Sequence, residues 1–353
     1  MKPFLPGTGA STWNMLRQAC LQRRAAVPPT LTELAVVPGI PEARYWLDRD
    51  IAPLIRDVHQ ANLREAQALA RVGEPHDMLP LASMLAVSGG SDAGTFAAGI
   101  IAGWSLHGTR PLFKIVTGIS AGALVAPFAY LGSQYDGIIL RICSAVGPKD
   151  IFHSRNVLTR LASDGMAHSK PLSRLVAQYV TPDILAAIAA QYANGRLLMI
   201  GTTDLDAGRP VTWNMGAIAA SGAPGALDLF RRILIASMSI PGAVSPVMID
   251  VEINGQPFQE MHVDGGVITQ VFLYPPGTVM ALNNVAGARL RRDRHFYVIR
   301  NGKMEPQWSG TKRRTLSIGG RAISALIQTQ GISDLDRLYR IAQQDGADFN
   351  LAY

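Results

Sequence analysis

Three glycine-framed segments carry residues whose types and order could perform acyl transfer: SGGSDAG over residues 88–94, GISAG over 118–122 and HVDGG over 262–266. The second offers Ser120 as a nucleophile. Gly118 and Gly122 frame it because a sharp strand-to-helix turn leaves no room for bulk on either side. Such a turn presents the hydroxyl at the amino end of a helix, where the dipole favours a developing alkoxide. In the first segment Gly89, Gly90 and Ser91 can turn successive amides toward one point and so stabilise an oxyanion. The third ends a strand at Asp264, and Gly265 and Gly266 leave space for its carboxylate to approach another strand end. A carboxylate is a weak base for a hydroxyl, but it suffices when proton transfer accompanies attack and the charge passes at once to the loop amides. Together the three read as a serine hydrolase that needs no histidine.

Each segment also has a plainer reading. GxSxG can be a small-residue packing turn, the first loop a phosphate or tight turn, and Asp-Gly recurs at Asp136, Asp164 and Asp345. The first loop fits GxGxxG poorly, and the chain has no GK[ST] for a nucleoside triphosphate. Context argues for chemistry, since all three segments directly follow a stretch that reads as a strand. Of the seven histidines (His59, His76, His107, His153, His168, His262 and His295), none carries a triad motif. A rival reading, a Ser-Asp/Glu-His triad using His295, requires that ring within hydrogen-bond reach of Ser120. A second rival is a lipid-binding module that kept the fold and lost activity.

The elements that must position these residues begin near Leu81. Residues 81–87, 112–117, 197–202, 258–263, 279–283 and 295–300 read as strands, with 210–214 placed beside the third of them. Residues 95–107, 120–131 and 226–238 read as helices, and two more, 321–330 and 333–344, close the chain. Continuous apolar strands alternating with helices predict a three-layer α/β/α fold with a mainly parallel central sheet, whose sites lie at the strands' carboxyl ends. Residues 1–80 read as an extension. In it Ile55, Val58, Ala61, Ala66, Leu69 and Val72 recur at helical spacing, which predicts an amphipathic helix packed on the hydrolase domain of residues 81–353.

Composition narrows the class further. The chain has 353 residues, 48% apolar and 17% charged, with 33 Lys and Arg against 26 Asp and Glu. The basic surplus gathers in ARLRRDRH at 288–295 and TKRR at 311–314, patches suited to anionic lipid headgroups or simply to solubility. No interleaved aromatics suggest nucleic acid. Cys20 and Cys143, without a CxxC or cysteine-histidine spacing, suggest no metal, and no cofactor is implied. The longest apolar run, about 14 residues, is shorter than a membrane-spanning helix requires. The amino terminus lacks the apolar core of a secretory signal. The expectation is a soluble or peripherally membrane-associated chain, or one that starts after a removed leader.

From residue 81 onward the set resembles the patatin-like phospholipase family: the glycine loop, the GxSxG turn, SMSIPGAVSPV at 237–247 and the DGG that follows, in that order. The resemblance implies a Ser120–Asp264 dyad, an oxyanion hole around Gly89 and Gly90, and acyl-ester hydrolysis on lipids. The family loop usually reads Asp-Gly-Gly-Gly-x-Arg-Gly, whereas here Ser88, Ser91 and Ala93 replace the first Asp, the third Gly and the Arg. The missing guanidinium removes a charge that would hold the loop or a headgroup phosphate.

Overall fold

The computed structural model describes residues 25–73, 78–90, 94–145, 170–241, 244–286, 292–306 and 308–353. Nine described strands form one sheet: β1 (Arg44–Tyr45), β2 (Ala82–Val87), β3 (Ile115–Ile119), β4 (Leu197–Asp204), β5 (Arg209–Asn214), β6 (Val247–Ile253), β7 (Gln256–Asp264), β8 (Arg294–Ile299) and β9 (Asp348–Ala352). Their order is β1-β5-β4-β3-β2-β8-β9, with β7 pairing both β4 and β6. The five strands from β4 to β9 in this order are mutually parallel, while β5 and β7 pair antiparallel with β4.

Side chains alternate between two covered faces, as a buried parallel sheet requires. Leu85, Val87, Val116, Leu198 and Ile200 meet α2 (Thr95–His107), α3 (Ala121–Leu131), α4 (Asp136–Ala145), α6 (Pro182–Ala193) and α8 (Ala226–Ser237), with α5 (Lys170–Tyr179) and α7 (Met215–Ala220) beside them. Met84, Ala86, Ile115, Leu197 and Met199 meet α1 (Ala52–Arg71), α9 (Thr278–Ala286) and the end of α10 (Thr315–Asp345). The fold is three-layer α/β/α with a mainly parallel centre. α1 is buried at Leu54, Ile55, Val58 and Ala61, whereas Val72 is exposed.

Two expectations are corrected. Residues 279–283 lie in the helix α9: Val279 and Leu282 are buried three apart while Met280 is exposed, a helical period hidden in a short apolar run. The two closing helices are one, continuous through Gly331. That position lacks a side chain because the Arg300 guanidinium fills its place, with Nη1 only 2.2 Å from where a Cβ would stand.

Candidate active site

Two strand ends meet head to head along one edge of β4. β5 occupies the other edge of β4 over residues 199–204, so β3 and β7 must share the free one. β3 runs up it until Ile119 faces Gly201, and β7 runs down it until Asp264 faces Thr202. The next residue after β3 is Ser120, so the geometry of the sheet alone brings Ser120 to Asp264. The Ser120 hydroxyl donates to Asp264 Oδ2 at 2.6 Å, and the Gly266 amide donates to Oδ1 at 2.7 Å.

The turn at Ser120 is strained, with φ 53° and ψ −124° in a non-glycine residue. Close packing enforces the flanking glycines. A Cβ on Gly118 would stand 2.5 Å from the Gly122 carbonyl oxygen, and one on Gly122 would stand 2.2 Å from that of Val87. The Ser237 hydroxyl fixes the turn from behind, accepting the Ser120 amide at 2.9 Å and donating to the Gly201 carbonyl at 2.7 Å. Ser239 accepts the Asp264 amide through its own carbonyl. The SMSIP segment, to which the sequence alone assigned no role, thus ties Ser120 and Asp264 to β4.

Ser120 and Asp264 are both buried, at 9% and 5% exposure. Burial pushes the Asp264 carboxyl up from its ordinary 3.8 to about 6, against the pull of the Ser120 and Gly266 hydrogen bonds. A carboxyl so tuned is a better base than a solvated one and is still ionised at neutral pH.

The glycine loop is only partly as expected. The Gly89 amide donates to the Gln270 carbonyl at 3.0 Å, so it is already engaged. Gly90 lies against Asn301, whose carbonyl oxygen would be 1.5 Å from an added Cβ, and Ser91 lies outside the described residues. Asn301, at the end of β8, grips both sides of the loop. Its Nδ2 donates to the Ser88 carbonyl at 2.9 Å, its Oδ1 accepts the Ala97 amide at 3.0 Å, and its own amide donates to Ser88 Oγ. Ser88 Oγ in turn donates to the Gly89 carbonyl. The Ser88–Asn301 pair therefore holds the entry to the loop without an arginine. Gln270 joins the base turn to the loop by donating from Nε2 to the Gly266 carbonyl at 2.6 Å. Neither Asn301 nor Gln270 sits in a motif, and only the fold reveals them.

Behind the dyad, Asp204, Glu260 and His262 bring one ligand atom each within 4.8 Å of one another. All three side chains are already engaged. Arg44 pairs with Glu260, His262 bonds Thr202 and Glu260, and Asp204 accepts the amides of Asp206 and Ala207. The chemistry is that of a closed polar network rather than a metal cradle. His295 stands at the other end of the sheet, beside Ser83 at the start of β2, and pairs with Asp348. The structure does not bring it to Ser120.

An α/β/α sheet whose first β-turn-α units hold a glycine loop and a strained serine defines a hydrolase-like class of fold. The patatin-like phospholipase family matches residues 85–275, more than half of the chain, and the chain belongs to that family. No curated protein matches it. Among solved structures it is similar to VipD from Legionella pneumophila, at 12% identity and a TM-score of 0.37 over 69% of this chain and 53% of that one. It is also similar to the complex of full-length SpcU with full-length ExoU from the type III secretion system of Pseudomonas aeruginosa, at 17% identity and a TM-score of 0.32 over 75% and 53%. The chain spans about half the length of each of these two.

Proposed function

We propose that this protein is a serine acyl-ester hydrolase acting on lipids, of the phospholipase A or lysophospholipase type. The observation that carries the proposal is the 2.6 Å hydrogen bond from a strained, helix-capping Ser120 to a buried carboxylate. Ser120 Oγ attacks the acyl carbonyl carbon while its proton passes to Asp264. The C–O bond to the alcohol then breaks, and the alcohol leaves with the proton from Asp264. Water attacks the acyl-serine as Asp264 takes its proton, which releases the fatty acid and restores the dyad. With the Gly89 amide engaged, the oxyanion is assigned to the Gly90 amide and the amino end of α3.

Ser120→Ala is expected to lower hydrolysis of a dissolved short-chain nitrophenyl ester by at least about 10⁴-fold and to abolish labelling by a fluorophosphonate probe. Labelling of the wild type at any residue other than Ser120 would overturn the assignment.

Asn301→Ala is expected to lower kcat about tenfold or more with little change in KM, because the loop amide serves the transition state more than the ground state. A variant that melts earlier yet keeps its kcat would reduce Asn301 to a structural brace.

A further inference from the structure

The basic segment at 311–314 and the helix it leads into form the most exposed apolar feature of the described residues, and the dyad uses neither. The last turns of α10 are seated on the sheet through Leu335, Leu338, Ile341 and Ala342. Its first half is largely exposed, tied back through Gln328, which donates to the Glu305 carbonyl. Ile318, Ile323 and Leu326 are 54%, 55% and 69% exposed, and nothing lies within 4 Å of where Gly319 or Gly320 would carry a Cβ. At about 100° per residue these apolar side chains share one broad face with Ala322 and Ala325, opposite Ser317, Arg321, Ser324 and Gln328. Trp308, 91% exposed, precedes them, and Lys312, Arg313 and Arg314 are exposed at the helix start.

An apolar face of this extent is covered by something in use. The geometry points to an anionic lipid surface, on which the first half of α10 lies flat with Trp308 and its isoleucines among the acyl chains and its cations among the headgroups. Residues 312–330 contain four basic side chains and no acidic one. A second copy packed on this face would set like charges against each other, whereas an anionic surface neutralises them. The helix rests on the interface rather than crossing it, since among the described residues no helix is long and apolar enough to span a membrane. Its position also fits the proposed lipid reading, which this inference extends. Just beyond the free half, Asp334 accepts the Gln270 amide at 2.6 Å, and the Gln270 carbonyl holds the Gly89 amide. The protruding half therefore leaves the molecule beside the glycine loop, so docking sets the rim that carries Ser120 against lipid.

The test is cosedimentation of the full chain with vesicles of phosphatidylcholine alone or mixed about equally with phosphatidylserine. The wild type is expected to bind mixed vesicles at least tenfold more tightly than pure ones. Replacing Lys312, Arg313 and Arg314 by Glu should weaken that binding about 100-fold or more, at roughly fivefold per cation lost. Ile323→Asp with Leu326→Asp should weaken it at least tenfold. Wild-type binding by that double variant would overturn the inference. So would a lipid-free dimer that the double variant converts to a monomer, which would assign the face to a second copy. Hydrolysis of the dissolved ester is read in parallel. Vesicle binding without hydrolysis sinks the dyad and leaves the docking face standing, and hydrolysis without vesicle binding does the reverse.

Discussion

Asp264→Asn is expected to abolish ester hydrolysis while making the fold more stable at neutral pH. The carboxylate is the only described partner of the Ser120 hydroxyl, and an amide in its place keeps the shape but cannot take a proton. Activity should fall by at least about 10³-fold. Stability should move the other way, because the folded chain holds the Asp264 proton more tightly than the unfolded chain does, with a value near 6 against the ordinary 3.8. Ionising the buried carboxyl therefore costs stability, nothing below about pH 4 and in full above about pH 6, where the gap corresponds to at most about 3 kcal/mol. Thermal melts should show the variant above the wild type at about pH 8 and level with it near pH 4. The same value sets the wild-type pH profile, with kcat/KM for the dissolved ester rising through about pH 6 and then level. A variant less stable than wild type at both pH values would show that the carboxylate holds the site together rather than straining it.

Arg44→Ala is expected to destabilise the protein by about 3–5 kcal/mol, the cost of leaving a buried charge without its partner. Glu260 is 1% exposed. Burial pushes its carboxyl up, yet the His262 hydrogen bond and the Arg44 charge win and hold it at about 2. Arg44 also donates to the Ala35 carbonyl and lies over the rings of Trp46 and Trp213, with its guanidinium carbon 5.1 and 5.5 Å from their centroids. Because the Glu260 value is depressed when folded, the pair's contribution is present above its unfolded value, near 4.5, and is lost as pH falls toward about 2. Urea unfolding of the variant should show the full loss at neutral pH and a smaller one in acid, where Glu260 takes a proton. An unchanged midpoint at neutral pH would mean that His262 and Thr202 satisfy the cluster alone.

Much of the parallel centre was legible, because a strand buried on both faces reads as an unbroken apolar run, as in β2 and β4. The site was legible where close packing restricts residue type: Gly118 and Gly122 are small because Gly122 and Val87 backbone atoms occupy the space. What misled was length and direction. Residues 279–283 are too few to separate period two from period three, and Gly331 looks like a break until Arg300 is seen beside it. The antiparallel course of β7 has no signature in the HVDGG segment itself, although Asn254-Gly255, with φ 51° and 76°, is a hairpin turn signal. Ser237 and Asn301 act through hydrogen bonds across 36 to 213 residues of chain, and Gln270 joins the neighbouring Gly266 to the distant Gly89, distances over which spacing carries little information.

The first basic cluster shows the same limit from the side of charge. Arg292 looks like part of a surface patch, yet its side chain is 3% exposed and bonds Glu65 at 2.7 Å. Glu65, on the polar face of α1, also takes Lys114. Formal charge is legible in a sequence, and its location is not. Lys312, Arg313 and Arg314, by contrast, meet solvent.

The meeting of β3 and β7 makes the proposed catalytic pair a joint between two separately anchored bodies. β3 lies inside the parallel sheet with partners on both edges, whereas the β6–β7 hairpin meets β4 through three residue pairs and is otherwise held by Arg44, the Ala26–Gln259 and Val36–Glu252 bridges and the packing of Ile249, Val251 and Ile253 in the core. For the hairpin to part from the sheet, those outer ties must open first. When it parts, Ser120 stays strained at its turn and loses its base. Turnover by the proposed dyad thus reports on the seating of one hairpin.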